Sequence, residues 1–297
     1  MPGTEMCFTL NTGAKMPFLG LGTAGLNGMD LILNTLDDAF QLGYRLIDTD
    51  ASYDNEKEIG YCLEKLLPKF NLQRSDIFIT TKLSPTDRGK RVERGIMKSL
   101  RHLNCDYIDL FLMDLSCTQT GNSEDDARLR NLSWAKMVEA VKHKQVRQIG
   151  VCNYGVEQLE GLLARCRGVR PSVNQVEFHP FYRDRKLYDV CRNAGVFMQA
   201  YCILGCSKWC KMLRNEHVLK CAHELGKTAA QILLRWAIQQ NVGVIPSSRN
   251  VAHLFANRQV DFVIPRHHMI NLSTFDSHQR IGNEPEMIHV LQRFQSE

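Results

Sequence analysis

Nowhere does the sequence run apolar for the roughly 20 residues that a membrane helix requires, so no membrane span is expected. The first residues, MPGTEMCF, carry Glu5 and lack the basic-then-apolar run of a secretory leader. No stretch rich in Pro, Gly or Ser breaks the chain, so nothing marks a domain boundary, and neither low-complexity segments nor internal repeats are visible. Charge of one sign is scarce as well. The formal net charge is +5 over 297 residues, and the densest basic patches, KRVER at 90–94 and RCRGVR at 165–170, are too short for a nucleic-acid surface. They read as solvated helix ends, and no nucleic-acid partner is expected.

Cysteine, by contrast, is plentiful. Eleven cysteines are scattered and odd in number, which with no export signal points to reduced thiols in the cytoplasm. Cys202, Cys206 and Cys210 lie close together, but their spacing is unlike a CxxC knuckle and no nearby His completes a set. No metal is expected.

Hydrophobic residues make up 44% of the chain and charged residues 23%, as in an ordinary soluble globular protein. Eight strand-like runs recur, at 18–23, 45–50, 76–83, 107–114, 148–153, 172–178, 196–204 and 242–247. Amphipathic stretches lie between them. Val92, Ile96, Leu100 and Leu103 form a helical stripe; WAKMVEAVKHK (134–144) ends in cations suited to a helix C-terminus, and SCTQTGNSEDDARLR before it reads as a loop with no recognisable ligand-binding pattern; KTAAQILLRWAIQQ (227–240) starts from a candidate N-cap at Thr228. This alternation predicts an α/β fold, one closed (β/α)8 (TIM) barrel as a single domain over 1–297. FTLNTGAKMPF adds an N-terminal β-hairpin turning at Asn11 to Gly13, and an extra helix and tail follow the barrel at the C-terminus. GLGTAG (20–25) matches the dinucleotide fingerprint G-x-G-x-x-G, with Asp48 suitably downstream. However, the next helix starts only near Asp30, so these glycines do not open it.

Barrel sites form at the C-terminal ends of the strands. Those positions hold Asp48 with Tyr53 just beyond, Lys82, Asp114, Cys152 and Asn153, Gln175 and Glu177, Tyr201, and Ser247. A phenol is a poor acid near neutrality. A nearby Lys82 cation favours the phenolate and eases proton donation, and a buried Asp48 balances the cation. Asp114 ends the strand YIDLFLMD, whose Asp109 falls on the outward side of the alternation. It reads as a surface acid, a catalytic acid or a mark of lost catalysis.

LIDTDASYDNEKEIG resembles the aldo-keto reductase signature, as do TTKL, IGVCNYGVEQLEGLL, VNQVEFHP, AYCILG and KTAAQILLRWAIQQNVGVIPSS. The resemblance covers nearly the whole chain in order. It implies a barrel enzyme that transfers hydride from NADPH to a small-molecule carbonyl, commonly as a monomer. By the same resemblance Asp48, Tyr53 and Lys82 match three members of the catalytic tetrad, with Tyr53 the proton donor. Asn153 and Gln175 match the residues that hold the nicotinamide carboxamide, and Tyr201 the aromatic on which the ring stacks. Gly22, Thr23, Asp48, Cys152, Ser247, Ser248, Arg249 and Asn257 complete the expected cofactor-binding set.

The departures are as specific as the matches. Asp114 stands where the family has its tetrad histidine, and Leu115 and Ser116 where it has Trp-Pro. An ionised Asp114 would raise the Tyr53 pKa and repel a developing oxyanion. A protonated one would donate a hydrogen bond, as a Glu does in the family's steroid 5β-reductase branch, where a conjugated double bond is reduced. Ser247, His253 and Ala256 replace the family's Lys, Arg and Glu around the 2′-phosphate and adenine. NADPH should therefore bind more weakly, with NADH possible and Arg249 a substitute cation. Ala24 and Gly25 replace an expected Trp, and Cys152 and Cys202 replace serines. Two functions follow: an oxidoreductase acting on a carbonyl or conjugated enone, or a catalytically impaired pseudoenzyme serving as a nucleotide- or protein-binding barrel.

Overall fold

The computed structural model describes residues 6–115, 123–166, 168–205 and 211–275. A short antiparallel hairpin, β1 (Cys7–Thr9) and β2 (Lys15–Pro17), turns through Asn11–Gly13, where Gly13 has a φ of 88°. Strand β3 (Leu21–Gly22) then leads to α1 (Met29–Gln41), β4 (Leu46–Asp48), α2 (Glu56–Lys69), β5 (Phe78–Lys82) and α3 (Val92–His102). The alternation continues with β6 (Ile108–Asp114), α4 (Ser123–Lys142), β7 (Val146–Cys152), α5 (Val156–Arg165), β8 (Val173–Glu177), α6 (Arg185–Ala194) and β9 (Phe197–Tyr201). Helices α7 (Glu216–Leu225) and α8 (Ala229–Ile238) precede β10 (Gly243–Val244), and α9 (Val251–Arg258) and α10 (Arg266–Ser273) follow it.

The eight strands β3 to β10 pair in sequence order, all parallel, and a Leu19–Val244 bridge joins the two ends of the sheet. The expected (β/α)8 barrel with its N-terminal hairpin is the fold. At the seam the backbones touch. A Cβ on Gly22 would lie 2.8 Å from the Ile245 carbonyl oxygen, and Gly22 N donates to Pro246 O at 3.1 Å. Gly20 and Gly22 of GLGTAG thus serve barrel closure, and α1 starts at Met29, away from them.

Period-two alternation divides the side chains between two cores. Outward residues such as Ile47, Ile79, Phe111 and Val151 pack under the helices. Inward residues Leu46, Phe78, Leu110, Leu112, Val173 and Phe197 fill the barrel. The hairpin plugs its N-terminal mouth, with the Phe8 ring stacked on Phe197 at 4.2 Å between centroids. Chemistry is left to the other mouth.

Local signals held where the residues carried them. Thr228 caps α8 by accepting from Gln231 N at 3.2 Å, and the Gln231 side chain returns the bond to Thr228 N. One expectation changes. Helix α4 begins at Ser123, so the acidic run before Trp134 is its first turns rather than a loop; Glu124, Asp125 and Asp126 suit a helix N-terminus. Asp109 is outward-facing but buried, because Arg74 pairs with it at 2.7 Å, Arg147 approaches at 3.7 Å and Ile79 N donates to it.

Candidate active site

At the open mouth the same alternation that points Leu46 and Phe78 inward also points Asp48 and Lys82 inward, one strand apart. Lys82 Nζ donates to Asp48 Oδ1 at 2.9 Å and to Thr49 O at 3.0 Å, and both side chains are almost fully buried. Asp50 adds a second carboxylate 3.8 Å from the same nitrogen. Burial pulls the Lys82 pKa down, but Asp48, Tyr53 and Asp50 outweigh it and hold the ammonium protonated well above its ordinary range.

Tyr53 closes a single 3-10 turn, Ala51–Tyr53, that Asp50 caps through Ser52 N at 2.8 Å. Asn55 fixes the turn to the barrel. It accepts from Thr49 Oγ1 at 2.7 Å and donates to Thr23 O and Leu26 O, each at 3.0 Å. The half-buried Tyr53 ring lies with its centroid 5.3 Å from Lys82 Nζ, an ammonium-over-ring contact. Burial raises the Tyr53 pKa above the ordinary phenol value; the lowering by Lys82 is smaller, and Asp50 and Asp48 add to the rise. Lys82 thus acts on the phenol in the expected direction, and burial outweighs it. The phenol keeps its proton, which suits a donor.

Two hydrogen-bonded series start from this centre. Gln175 Nε2 donates to Asp48 Oδ2 at 2.6 Å and to Gln199 Oε1 at 2.8 Å, and the Cys152 thiol donates to Gln175 Oε1 at 3.8 Å. In the second, Tyr201 Oη donates to Asn153 Oδ1 and Asn153 Nδ2 donates to Asp114 Oδ2, both at 2.7 Å. Asn153 reaches both because its backbone is left-handed, with a φ of 62° that Asn tolerates. Asp114 pairs in register with Cys152 and so faces the same mouth. Both polar atoms of the Asn153 amide are therefore engaged by side chains.

The loop after β10 lies across the seam from the loop after β3. Arg249 Nη2 donates to Gly25 O at 2.9 Å, and Ser247 Oγ reaches Ala24 O at 3.5 Å. Asn250 caps α9 by accepting from Ala252 N and His253 N, while His253 and Arg249 are exposed and Asn257 is buried. Thr23 N and Oγ1 both donate to Asp48 O at 3.0 Å, tying Gly22 and Thr23 to the same centre.

The sequence matches the family model described as Aldo/keto reductase family over residues 18–269. The chain belongs to the aldo/keto reductase family. It is 34% identical over 265 residues to aldo-keto reductase family 4 member C11 of Arabidopsis thaliana, covering 85% of this chain and 83% of that one. It is 32% identical to the methylglyoxal reductase DkgA of Escherichia coli over 279 residues, 93% of this chain and 96% of the relative. Among solved structures, an aldo-keto reductase complexed with NADPH superposes with a TM-score of 0.84 at 27% identity, covering 94% of this chain and 90% of that one. The aldose reductase of Schistosoma japonicum superposes at 0.83 with 30% identity over 95% and 97% of the two chains.

Within this aldo/keto reductase, residues drawn from separate segments converge as the sequence led one to expect: Asp48, Tyr53 and Lys82 meet at one mouth, and Asn153, Gln175, Tyr201 and Asp114 surround it. Ser247 and Arg249 sit apart, over the seam. Sequence reasoning missed Asp50, Asn55 and Gln199. Asp50 and Asn55 lie inside the quoted signature and their turn chemistry was available; Gln199 was legible only as a polar residue at an inward strand position. Cys202, expected as a reduced thiol, is disulfide-bonded. Ser116, Cys206 and Cys210 lie outside the described residues. Among the described residues no helix is long and apolar enough to cross a membrane.

Proposed function

We propose that this barrel reduces a carbonyl or conjugated enone at its C-terminal mouth, with Tyr53 giving the proton. The observation that carries the reading is the buried Lys82–Asp48 pair with the Tyr53 ring beside it. Lys82, held cationic, stabilises negative charge that gathers on the phenol oxygen as the proton leaves. Asp48 keeps Lys82 in place, and Gln175 in turn holds Asp48. Asn55 and Asp50 fix the turn that carries the phenol. Such a site supplies half a reduction.

The other half is a hydride, which NADPH supplies when bound. The residues fit that group unevenly. Asn153 and Gln175 offer side-chain amides and Tyr201 a half-buried ring at the mouth, as a nicotinamide carboxamide and ring require. At the phosphate end, Ser247 and His253 replace two cations, and Arg249 supplies an exposed guanidinium that forks well onto a phosphate. We therefore favour weakened NADPH binding, with NADH as the competing cofactor. Cytoplasmic, monomeric action completes this reading.

One observation favours the second reading, an impaired enzyme that still binds nucleotide. Asp114 accepts one of the two Asn153 amide hydrogens, so a carboxylate already occupies part of the group that would hold a carboxamide. Calorimetric titration with NADPH and NADH, followed by a panel of aldehydes, ketones and enones, separates the two readings. Binding with turnover supports reduction, and binding without turnover supports the pseudoenzyme. Failure of both nucleotides to bind at millimolar concentration overturns both. Asp114→His should raise carbonyl reduction in a variant that still binds cofactor.

A further inference from the structure

On the outside of the barrel, α7 and α10 bring three ligand-bearing side chains together. One ligand atom from each of Glu224, His267 and His268 lies within 4.8 Å of the other two. His268 is buried at 4% exposure, and its Nε2 is 2.8 Å from Glu224 Oε2. The His267 ring lies 4.1 Å from the His268 ring between centroids and is exposed. A cavity of about 180 Å³ opens at the same place, lined also by His217, Lys220 and Asn271.

We propose that Glu224, His267 and His268 form a binding site for a divalent transition metal of the zinc class. Two imidazoles and one carboxylate are a borderline donor set that suits Zn²⁺ and disfavours Ca²⁺ and Mg²⁺, which prefer oxygen throughout. Ligands about 2.1 Å from a tetrahedral ion lie about 3.4 Å from one another. The His268–Glu224 pair at 2.8 Å opens to that span by a side-chain adjustment of well under one carbon–carbon bond. The ion then replaces the existing hydrogen bond between the two groups.

A plain structural pair needs only one histidine, and here three line one cavity. His217 lies seven residues before Glu224 on α7, two helical turns along the same face. Its Nε2 is 3.3 Å from Glu216 Oε1 and its ring 4.8 Å from Phe275, so it reaches the cavity from the side. A water completes the tetrahedron, and His217 stays outside the set of mutually close ligand atoms. Lys220, one turn from Glu224 and lining the same cavity, opposes the ion by its charge. The metal clips α10, which follows the barrel, onto α7. This site lies on helices that carry none of the residues assigned to reduction, so it stands independently of that reading.

The test uses tag-free, full-length protein stripped of metal, titrated with Zn²⁺ by calorimetry and with Co²⁺ by its visible d–d absorption. The expected result is one tight site per chain, a tetrahedral Co²⁺ spectrum and a Zn²⁺-dependent rise in Tm. Losing an outer partner of a metal ligand typically weakens binding about 10–100-fold. Glu224→Gln and His267→Ala, both at exposed positions, should each weaken it by at least the upper end of that range and abolish the Tm rise. His268→Ala should do the same, and Lys220→Ala should tighten binding. No binding by the wild type, or affinity unchanged in Glu224→Gln and His267→Ala, overturns the proposal. The two exposed variants decide the question even if His268→Ala does not fold.

Discussion

Removing the Asp114 carboxylate tests how this chain treats a cofactor. In the free protein Asn153 Nδ2 donates to Asp114 Oδ2 at 2.7 Å, while Asn153 Oδ1 accepts from Tyr201. If a nicotinamide carboxamide takes the hydrogen that Asn153 gives to Asp114, rather than the second hydrogen of that amide, binding first breaks the bond to Asp114. A hydrogen bond to a charged group is worth about 1.5–3 kcal/mol net. Any preference for the engaged state subtracts directly from observed affinity. Asp114→Ala should therefore tighten NADPH binding by about 10- to 150-fold, read as Kd by calorimetry. Asp114→Asn keeps an acceptor oxygen facing Asn153 without the charge, and a neutral bond is worth about 0.5–1.5 kcal/mol, so its Kd should fall between the other two. The refuting result is a Kd for Asp114→Ala equal to or weaker than wild type in a protein that melts normally. Asn153 would then either not contact the cofactor or do so with Asp114 as its support.

Tyr53→Phe should cost about 10²- to 10⁴-fold in kcat/KM, the usual worth of a positioned proton donor, with cofactor Kd within a factor of a few. Retained turnover would place the proton elsewhere. In the wild type, ultraviolet titration should show tyrosines ionising late, because burial raises Tyr53 and also Tyr44, whose hydroxyl donates to Leu254 O; Tyr53→Phe should remove part of that late phase. Lys82→Met leaves the Asp48 carboxylate buried without its cation, which should lower stability by about 3–5 kcal/mol in urea unfolding. Adding Asp48→Asn should recover part of the loss. Because the folded state raises the Lys82 pKa, its contribution is complete below the unfolded value of about 10.4 and fades as pH climbs through the folded one. Wild-type stability should therefore fall more steeply above about pH 10 than that of Lys82→Met; parallel curves would remove Lys82 from the account.

The barrel was legible because its signal is periodic and repeated. Leu46, Phe78, Leu110 and Phe197 face inward at alternate positions on different strands, and each strand repeats one message. Helix α4 was misread at its start because SEDDARLR has no apolar stripe; its helicity comes from acidic residues in the first turn, which periodicity does not register. At the site, which strand ends converge followed from order in the chain, and which side chains point inward followed from parity. Partner choice did not follow. Nothing in the residue order says that Asn153 turns to Asp114, since that depends on a left-handed φ at one asparagine. Nor does it say whether burial or Lys82 governs the Tyr53 proton, because that balance depends on how deep the turn sits. Both unknowns bear on the same substitution. An aspartate at position 114 is an acceptor that engages the amide of Asn153 in the free protein. The family's scaffold is retained around that bond, and Asp114→Ala decides whether the bond competes with a cofactor.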